Sequence, residues 1–263
     1  MASTPEPTVR SGRVKHTRRL ATRAFRADTG EMLVEGPQAV REALALDDVV
    51  IEVFATAEAT DRHRDLVAAA GDRWTVSDAD VVAAIADAVN PQGVVARCRT
   101  VVGRLDDLSA DVGYVVVCAD VRDPGNAGAV IRCADAAGAD AVVLTGDSVD
   151  PTNPKAVRAT AGSLFHLPVL VHRDTAETVD RLRAGGLQVL AADGAGDVGL
   201  FDVDLDLAVP TAWLMGNEAW GLPEPVRALA DRVVAVPIYG RAESLNLATA
   251  AAVCLYAGAA ARH

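Results

Sequence analysis

The sequence predicts an α/β protein built from two units, and three observations support this prediction. Short apolar runs typical of strands alternate with helix-like segments from one end of the chain to the other. A polar stretch, GRLDDLSADVG at 103–113, separates a short first series from a longer second series. Hydrophobic residues make up 51% of the 263 residues, which is enough for a sizeable buried core.

The first series predicts a small α/β unit. Strands are expected at EMLVEG (31–36), VVIEVFAT (49–56), RWTVS (73–77) and QGVVARCRTV (92–101). Helices are expected at PQAVREALA (37–45), RDLVAAAG (64–71) and DADVVAAIADA (78–88).

The second series predicts a mostly parallel sheet covered by helices on both faces, because strands and helices alternate regularly. Its strands are YVVVCADV (114–121), AVVLTG (141–146), PVLVH (168–172), LQVLAAD (187–193), TAWLMG (211–216) and VVAVPI (233–238). The first helix of this series is expected to begin at residue 126. The later helices are expected at PKAVRATAGSLF (154–165), AETVDRLRAGG (176–186), PEPVRALAD (223–231) and an Ala-rich segment from about 246 to 262.

Charge and composition narrow the function classes. The net charge is −11, which by itself disfavours a nucleic-acid partner. Residues 10–26, however, carry seven Lys and Arg residues and no acid, so this segment is either an RNA-binding arm or a solvated tail. The four cysteines never form a CxxC pair and the histidines form no HxxxH pair, so no metal site is expected. No long apolar run or secretory signal is indicated, and a cytoplasmic location is expected.

Ligands of such sheets collect at the carboxyl ends of strands, so the turns there are candidate sites. GAGDVG (194–199) matches the dinucleotide-binding pattern G-x-G-x-x-G. A phosphate site would require a helix to begin there, whereas the next residues, LFDVDLDL, alternate like a strand or an extended loop. A glycine-rich loop without a nucleotide is therefore the prediction.

Three other turns carry polar residues. Asn126 suits the N-cap of the helix that follows the strand at 114–121, which leaves Arg132 unexplained. Asn217, Glu218 and Trp220 lie in a glycine-containing turn after the strand at 211–216. Ser244 or Asn246 could cap the last helix.

Together these turns resemble the three motifs of the SpoU (TrmH-type) 2'-O-ribose RNA methyltransferases of the SPOUT superfamily. The motifs are NAGAVIR (126–132), MGNEAWGL (215–222) and VPIYGRAESLNLATAAAVCLY (236–256). The segment RRLATRAFRADTGEMLVEGPQAVREALA (18–45) is similar to the L30e-like substrate-binding domain often fused to such enzymes. The family often has small or charged residues where this chain has Ala219 and Trp220.

The resemblance implies an α/β knot, a deep trefoil, for the catalytic domain, preceded by a small L30e-like α/β domain. The expected boundaries are a flexible basic tail at 1–14, an RNA substrate-binding domain at 15–105 and the methyltransferase domain at 111–263. The resemblance also implies a homodimer formed through the knot domain. RNA is the expected partner, and neither membrane association nor a bound metal is expected.

The resemblance further implies S-adenosylmethionine as the cofactor, held by the residues Gly216, Val236, Ile238, Leu245 and Ala192. Arg132 matches the family's essential arginine. A guanidinium is a poor proton acceptor, so the role expected for Arg132 is to stabilise the developing alkoxide and grip a phosphate. Asn126 is expected to orient that arginine or the ribose. The residues expected to hold the site loops are Glu218, Ser244 and Asn246, and those expected to contact RNA are Arg18, Arg19, Arg23 and Arg26.

The predicted function is methylation of a ribose 2'-hydroxyl of RNA, with 23S rRNA favoured because the L30e-like leader is typical of ribosomal members. A tRNA ribose methyltransferase and a non-catalytic RNA-binding protein of the same fold remain alternatives. A dinucleotide-dependent oxidoreductase is disfavoured because no helix is expected after GAGDVG.

Overall fold

The computed structural model describes residues 7–262, which fall into two compact units. The first unit comprises Met1–Val101 and Thr152–His166, and the second comprises Val102–Pro151 and Leu167–His263. A segment from the middle of the chain therefore belongs to the first unit.

The bounds of the elements follow the predicted alternation. The helices are α1 Gly12–Arg19, α2 Arg23–Thr29, α3 Pro37–Leu44, α4 Ala57–Arg62, α5 Arg64–Ala70, α6 Ala79–Ile85, α7 Pro124–Ala136, α8 Pro154–Thr160, α9 Thr175–Ala184, α10 Glu224–Arg227 and α11 Leu247–Arg262. The strands are β1 Glu31–Glu35, β2 Val50–Ala55, β3 Trp74–Val76, β4 Val94–Arg99, β5 Gly103–Arg104, β6 Tyr114–Ala119, β7 Ala141–Thr145, β8 Val169–Val171, β9 Gln188–Ala192, β10 Val198–Gly199, β11 Thr211–Met215 and β12 Arg232–Ala235. Short 3₁₀ turns lie at Gly71–Arg73, Leu105–Asp107 and Ser163–Phe165.

The first unit contains a four-stranded sheet in the order β1-β4-β2-β3, in which β4 runs antiparallel to β1 and β2. The basic segment at 10–26 is mostly helical here. Val14 and Leu20 of this segment are buried in a cluster with Leu33 and Phe54. Helix α1 begins at Gly12, inside the range 1–14 expected to be a tail, and residues 1–6 lie outside the described chain.

Helix α8 packs on β1 within the first unit. Glu35, at the end of β1, is 7% exposed and accepts a 2.7 Å hydrogen bond from Nη1 of Arg158 on α8. The backbone N–H groups of Asp87 and Ala88 also donate to this carboxylate. A buried carboxylate requires such partners, so Arg158 compensates a charge that the unit could not otherwise bury. The segment predicted as one helix at 154–165 breaks because Ala161 adopts a left-handed conformation at φ 51°.

The second unit contains an eight-stranded sheet in the order β10-β12-β9-β11-β6-β7-β8-β5, and every pairing in it is parallel. Its central strands β6, β7 and β11 are buried along their full length, which explains their continuous apolar sequences. Register pairs Met215 of β11 with both Cys118 of β6 and Ala192 of β9. The chain leaving these strands therefore emerges at one shared edge.

Two sequence predictions about single elements change. Helix α7 begins at Pro124 rather than 126, and its N-cap is Asp123, whose Oδ1 accepts a 2.8 Å hydrogen bond from the Asn126 backbone N–H. The N-cap prediction for Asn126 is therefore wrong. Only Glu224–Arg227 is α-helical within the stretch predicted as a helix at 223–231.

The cysteines behave as small buried apolar side chains, as predicted, except that Cys133 is half-buried. All four are free thiols, and the described residues contain no group of three or more His, Cys, Asp and Glu residues placed to hold a metal. Burial raises the pKa of the Cys118 and Cys254 thiols to about 12 and also raises that of Cys98. In residues 7–262, no helix is both long and apolar enough to cross a bilayer.

The free energy of unfolding is expected to fall above about pH 8.5. An unfolded cysteine ionises near pH 8.5, whereas Cys118 and Cys254 keep their protons up to about pH 12 in the folded state. The contribution of these protonated thiols to the free energy of unfolding is therefore fully present below about pH 8.5. Above that pH the free energy of unfolding falls by up to about 1.4 kcal/mol per pH unit for each thiol. Urea unfolding at several pH values measures this slope. In Cys254→Ala the slope should be shallower; an unchanged slope would contradict the prediction.

Candidate active site

A cavity of about 650 Å³ opens at the carboxyl edge of the second unit's sheet. It is formed by the chain that follows β9, β11 and β12 and by the start of α11. All five residues assigned to the cofactor from the sequence line it: Ala192, Gly216, Val236, Ile238 and Leu245. Residues about 50 apart in the sequence thus meet at one site, whose volume is typical of a small-molecule pocket.

The walls of this cavity fit a nucleoside-like ligand. Val234, Leu222 and Leu247 are buried and give it apolar surface. The backbone of residues 236–245 forms no hydrogen bond with any other described residue, so its N–H and C=O groups remain available to a ligand. An adenosyl group has apolar ring faces and a polar edge, and both kinds of surface find a counterpart here.

The turn after β11 is braced from two sides. Asn217 and Gly221 exchange backbone hydrogen bonds of 3.0 and 2.9 Å, which closes a tight turn over Glu218, Ala219 and Trp220. Asn217 is 6% exposed, and its Nδ2 donates to the Asp120 carbonyl at 2.7 Å. Gly216 contacts Gly221 so closely that a Cβ would lie 2.5 Å from the Gly221 carbonyl carbon and oxygen.

Asn126 links the other two motifs through its side chain. Its Nδ2 donates to Oε1 of Glu218 at 2.6 Å, and its Oδ1 accepts from Nδ2 of Asn246 at 3.0 Å. The Oδ1 of Asn246 accepts from the backbone N–H of Ala248 at the start of α11. This side-chain network ties α7, the turn after β11 and the last helix together, and Asp123 makes it possible by capping α7 in place of Asn126.

Arg132 is exposed on α7, and its guanidinium forms no hydrogen bond or ion pair with the described residues. It is therefore available to an external group. Asn126, expected to orient Arg132 or the ribose, forms no hydrogen bond with Arg132. Ser244 lies exposed on the cavity wall and caps nothing; Asn246 fulfils the capping role.

The four arginines assigned to RNA lie in the first unit and differ in exposure. The side chains of Arg18, Arg19 and Arg23 are exposed, and the Arg19 guanidinium stacks 3.9 Å from the centre of the Phe25 ring. Arg26 is 4% exposed, and its guanidinium donates to Oγ1 of Thr152 and to the carbonyls of Leu20 and Ala21. Arg26 therefore stabilises the first unit rather than offering its charge to a ligand.

Sequence reasoning missed Asp193 and Asn217 as supports of the site. Asp193 directly follows β9, and its Oδ2 accepts a 3.4 Å hydrogen bond from the Leu222 backbone N–H. A carboxylate placed immediately after a buried strand is a signal that could have identified it. Asn217 stood in the second motif, but nothing local in the sequence indicates that its amide reaches Asp120.

Asn126→Asp is expected to lower the free energy of unfolding by about 1–2 kcal/mol and to reduce any activity of the site. The change replaces a donor by a carboxylate that faces the Glu218 carboxylate. In the double variant Asn126→Asp with Glu218→Gln, an amide again donates to a carboxylate across the same gap. Urea unfolding should therefore show at least half of the loss restored, and additive losses would contradict the interaction.

Comparisons with known proteins identify the family of this chain. The model of the SpoU rRNA Methylase family matches residues 113–256, and the MRM3-like substrate binding domain matches residues 12–96. The chain is 36% identical over 244 residues to the 23S rRNA (guanosine(2553)-2'-O)-methyltransferase RlmP of Bacillus subtilis, covering 93% of this chain and 94% of that protein.

Solved structures give the same result. An AdoMet-bound rRNA methyltransferase from Sinorhizobium meliloti matches at 34% identity with a TM-score of 0.82, covering 95% of both chains. The SpoU methyltransferase AviRb from Streptomyces viridochromogenes, in complex with the cofactor AdoMet, matches at 31% identity and a TM-score of 0.84, covering 95% of this chain and 98% of that one. This chain belongs to the SpoU rRNA methylase family.

Proposed function

We propose that this protein transfers a methyl group from S-adenosylmethionine to a ribose 2'-hydroxyl of RNA and that its substrate is 23S rRNA. One observation carries the proposal. The loops that line the cavity and the helix that carries Arg132 are joined by the Asn126–Glu218–Asn246 network, and the Arg132 guanidinium has no hydrogen-bond or ion-pair partner among residues 7–262. The 23S rRNA substrate is supported by the 2'-O-methyltransferase RlmP, which matches nearly the full length of this chain.

The bound cofactor would supply a methyl group already activated by the positive sulfonium. The protein's own task is then to align the ribose and to make its 2'-oxygen a better nucleophile. Gly216, Val236, Ile238, Leu245 and Ala192 would hold the cofactor, largely through backbone groups and apolar contacts. The braced turn after β11 keeps one wall of this pocket fixed before any ligand arrives.

Arg132 would act by its charge. A guanidinium stays protonated at neutral pH, so it cannot serve as a general base there. It can stabilise the negative charge that develops on the 2'-oxygen and bind the adjacent phosphate in a bidentate manner, while solvent or a phosphate oxygen takes the proton. Asn126, Glu218, Ser244 and Asn246 would act as positioning residues that hold the loops in register.

The first unit would hold the RNA substrate. It contains most of the predicted substrate-binding domain at 15–105 and also Thr152–His166, which lies within the predicted methyltransferase domain at 111–263. Arg18, Arg19 and Arg23 are its proposed phosphate contacts, because their side chains are exposed. Changing all three to Gln should weaken RNA binding and reduce the salt slope of the affinity by about one unit per lost phosphate contact. Substitution is a sharper test than truncation, since Val14 and Leu20 belong to the core of that unit.

Three further aspects follow from the family. A homodimer formed through the methyltransferase domain is proposed, and light scattering of the purified protein would test it. A cytoplasmic location is proposed because an rRNA-modifying enzyme works where rRNA is made and assembled. Family membership also implies the trefoil knot, which the chain would form after β12.

The function is tested by radiolabelled methyl transfer from S-adenosylmethionine to protein-free total bacterial RNA. Label should enter 23S rRNA and protect one dinucleotide from alkali, because a 2'-O-methyl group blocks cleavage at that ribose. Label in tRNA would support the methyltransferase activity but contradict 23S rRNA as the substrate. Absence of label on free RNA and on ribosomal particles, with cofactor binding confirmed, would favour a non-catalytic RNA-binding protein.

A further inference from the structure

Trp220 is a large aromatic side chain that the second unit leaves half in solvent. It lines the cavity described above, and 51% of it is exposed. The chain's other two tryptophans are half-buried (Trp74) or fully buried (Trp213). A single exposed apolar side chain is ordinary. What distinguishes Trp220 is that it lines the cavity two residues after Glu218, whose carboxylate accepts a hydrogen bond from Asn126 on α7.

The backbone that carries Trp220 is held in place. The turn is closed by the paired hydrogen bonds between Asn217 and Gly221, and the Asn217 side chain fixes it to the Asp120 carbonyl. The amide N–H of Ala219 donates to Oδ1 of Asn217 at 2.8 Å. An indole ring on such a turn loses little conformational entropy when a flat ligand stacks on it.

A cation backs the indole. The Arg122 guanidinium carbon lies 5.1 Å from the centre of the Trp220 ring, within cation–π range. Arg122 also pairs with Asp147 at 4.0 Å, but both side chains are more than half exposed, so this ion pair is weak. Trp220, Arg122 and Asp147 follow the adjacent strands β11, β6 and β7, and together they form a line along the sheet edge.

We propose that Trp220, backed by Arg122, stacks a base of the RNA next to the reacting ribose, with Arg122 exchanging Asp147 for a phosphate of the same strand. This inference rests on the proposed RNA methyltransferase function and adds a residue that selects and positions the substrate. Stacking of unpaired bases on aromatic and guanidinium planes is the usual means by which proteins hold single-stranded RNA.

The charge at this position favours RNA over the cofactor as the stacked ligand. S-adenosylmethionine is positive at its sulfonium, and a neighbouring guanidinium repels a positive group. RNA is a polyanion, so Arg122 attracts it at the same place. The exposed half of the ring also suits a ligand that arrives from solvent, whereas the cofactor would occupy the part of the cavity lined by the buried residues Leu222, Val234 and Leu247.

The test compares Trp220→Ala, Trp220→Phe and Phe201→Ala in methyl transfer to unmodified 23S rRNA. Phe201 is a matched control, because it is an aromatic residue of the same unit that is 62% exposed but lies outside the site. Trp220→Ala should raise the KM for RNA by about tenfold or more. Its Kd for S-adenosylmethionine, measured by calorimetry, should change less than about twofold. Trp220→Phe should recover most of the loss, and Phe201→Ala should behave like the wild type.

Two results would overturn the inference. A rise in the cofactor Kd with an unchanged KM for RNA would place Trp220 in the cofactor pocket. A Trp220→Ala variant indistinguishable from Phe201→Ala would show that the ring contacts neither ligand. Arg122→Ala should weaken RNA binding in the same direction as Trp220→Ala and lower the salt slope by about one, whereas an unchanged slope would exclude the phosphate contact.

Binding of 23S rRNA in the absence of cofactor separates this inference from the proposed function. If the wild type transfers no methyl group, the proposed activity fails, but the ratio of RNA affinities between wild type and Trp220→Ala still decides the stacking role. Quenching of the Trp220 fluorescence by hexaadenylate, taken as the difference between wild type and Trp220→Phe, reports stacking directly. Equal quenching in both proteins would contradict it.

Discussion

Arg132→Ala should lower kcat for methyl transfer by about 10²- to 10³-fold, with little change in the Kd for S-adenosylmethionine. The guanidinium is exposed on α7 without a partner among the described residues, so its removal disturbs no internal contact. In the proposed mechanism, what is lost is the positive charge that stabilises the 2'-oxygen, and this charge matters most in the transition state. The free energy of unfolding should stay within about 0.5 kcal/mol of the wild type.

Arg132→Lys and Arg173→Ala complete this experiment. Lysine keeps the charge but cannot form the bidentate contact, so its kcat should lie between those of Arg132→Ala and the wild type. Arg173 is another exposed arginine of the second unit whose side chain forms no hydrogen bond, ion pair or ring contact with described residues, and its removal should leave kcat unchanged. Full activity of Arg132→Ala would contradict the proposed role of this arginine in methyl transfer.

Gly216→Ala should weaken S-adenosylmethionine binding by about tenfold or more and lower the free energy of unfolding by about 1–3 kcal/mol. A Cβ at this position would lie 2.5 Å from the Gly221 carbonyl group and 2.8 Å from Cγ of Leu222. Two of the three nearest atoms belong to the backbone, so the turn itself must move. Because the same turn lines the cavity proposed for the cofactor, stability and affinity should fall together.

Gly113→Ala is the matched control for this substitution. Gly113 precedes β6 in the same unit, has no positive φ, and a Cβ there would meet nothing within 4 Å. This variant should bind the cofactor like the wild type and unfold at an equal or slightly higher urea concentration. Calorimetry and urea unfolding on both variants provide the comparison. Normal cofactor affinity in Gly216→Ala would show that the turn can yield without affecting the pocket.

The fold was largely predictable because hydrophobic periodicity is a local property. The alternation of strands and helices and the parallel sheet of the second unit are confirmed, and so is the resemblance to the SpoU family. The N-cap at Asp123 could have been predicted from the local sequence, because Asp123 followed by Pro124 is itself a signal for the start of a helix.

The contacts within the site were not predictable from the residues, because they join distant positions. Asn126 meets Glu218 and Asn246, which are 92 and 120 residues away along the chain. Arg26 looked like one more charge in a basic run, and its burial depends on Thr152, 126 residues away. The residues predicted to bind the cofactor were inferred from the family resemblance alone. Hydrophobic periodicity identifies where strands end, but it does not indicate which loops line the same cavity.

The position of α8 in the first unit has a consequence for how such a protein can be divided or recombined. A leader expressed as residues 1–101 would lack Arg158 and would leave the buried Glu35 carboxylate without its main counter-charge, a loss that typically costs about 3–5 kcal/mol. The sequence segments of the two units therefore alternate along the chain. A single crossover near residue 102 would therefore exchange β1 without α8, the helix that packs on it and supplies Arg158 to Glu35.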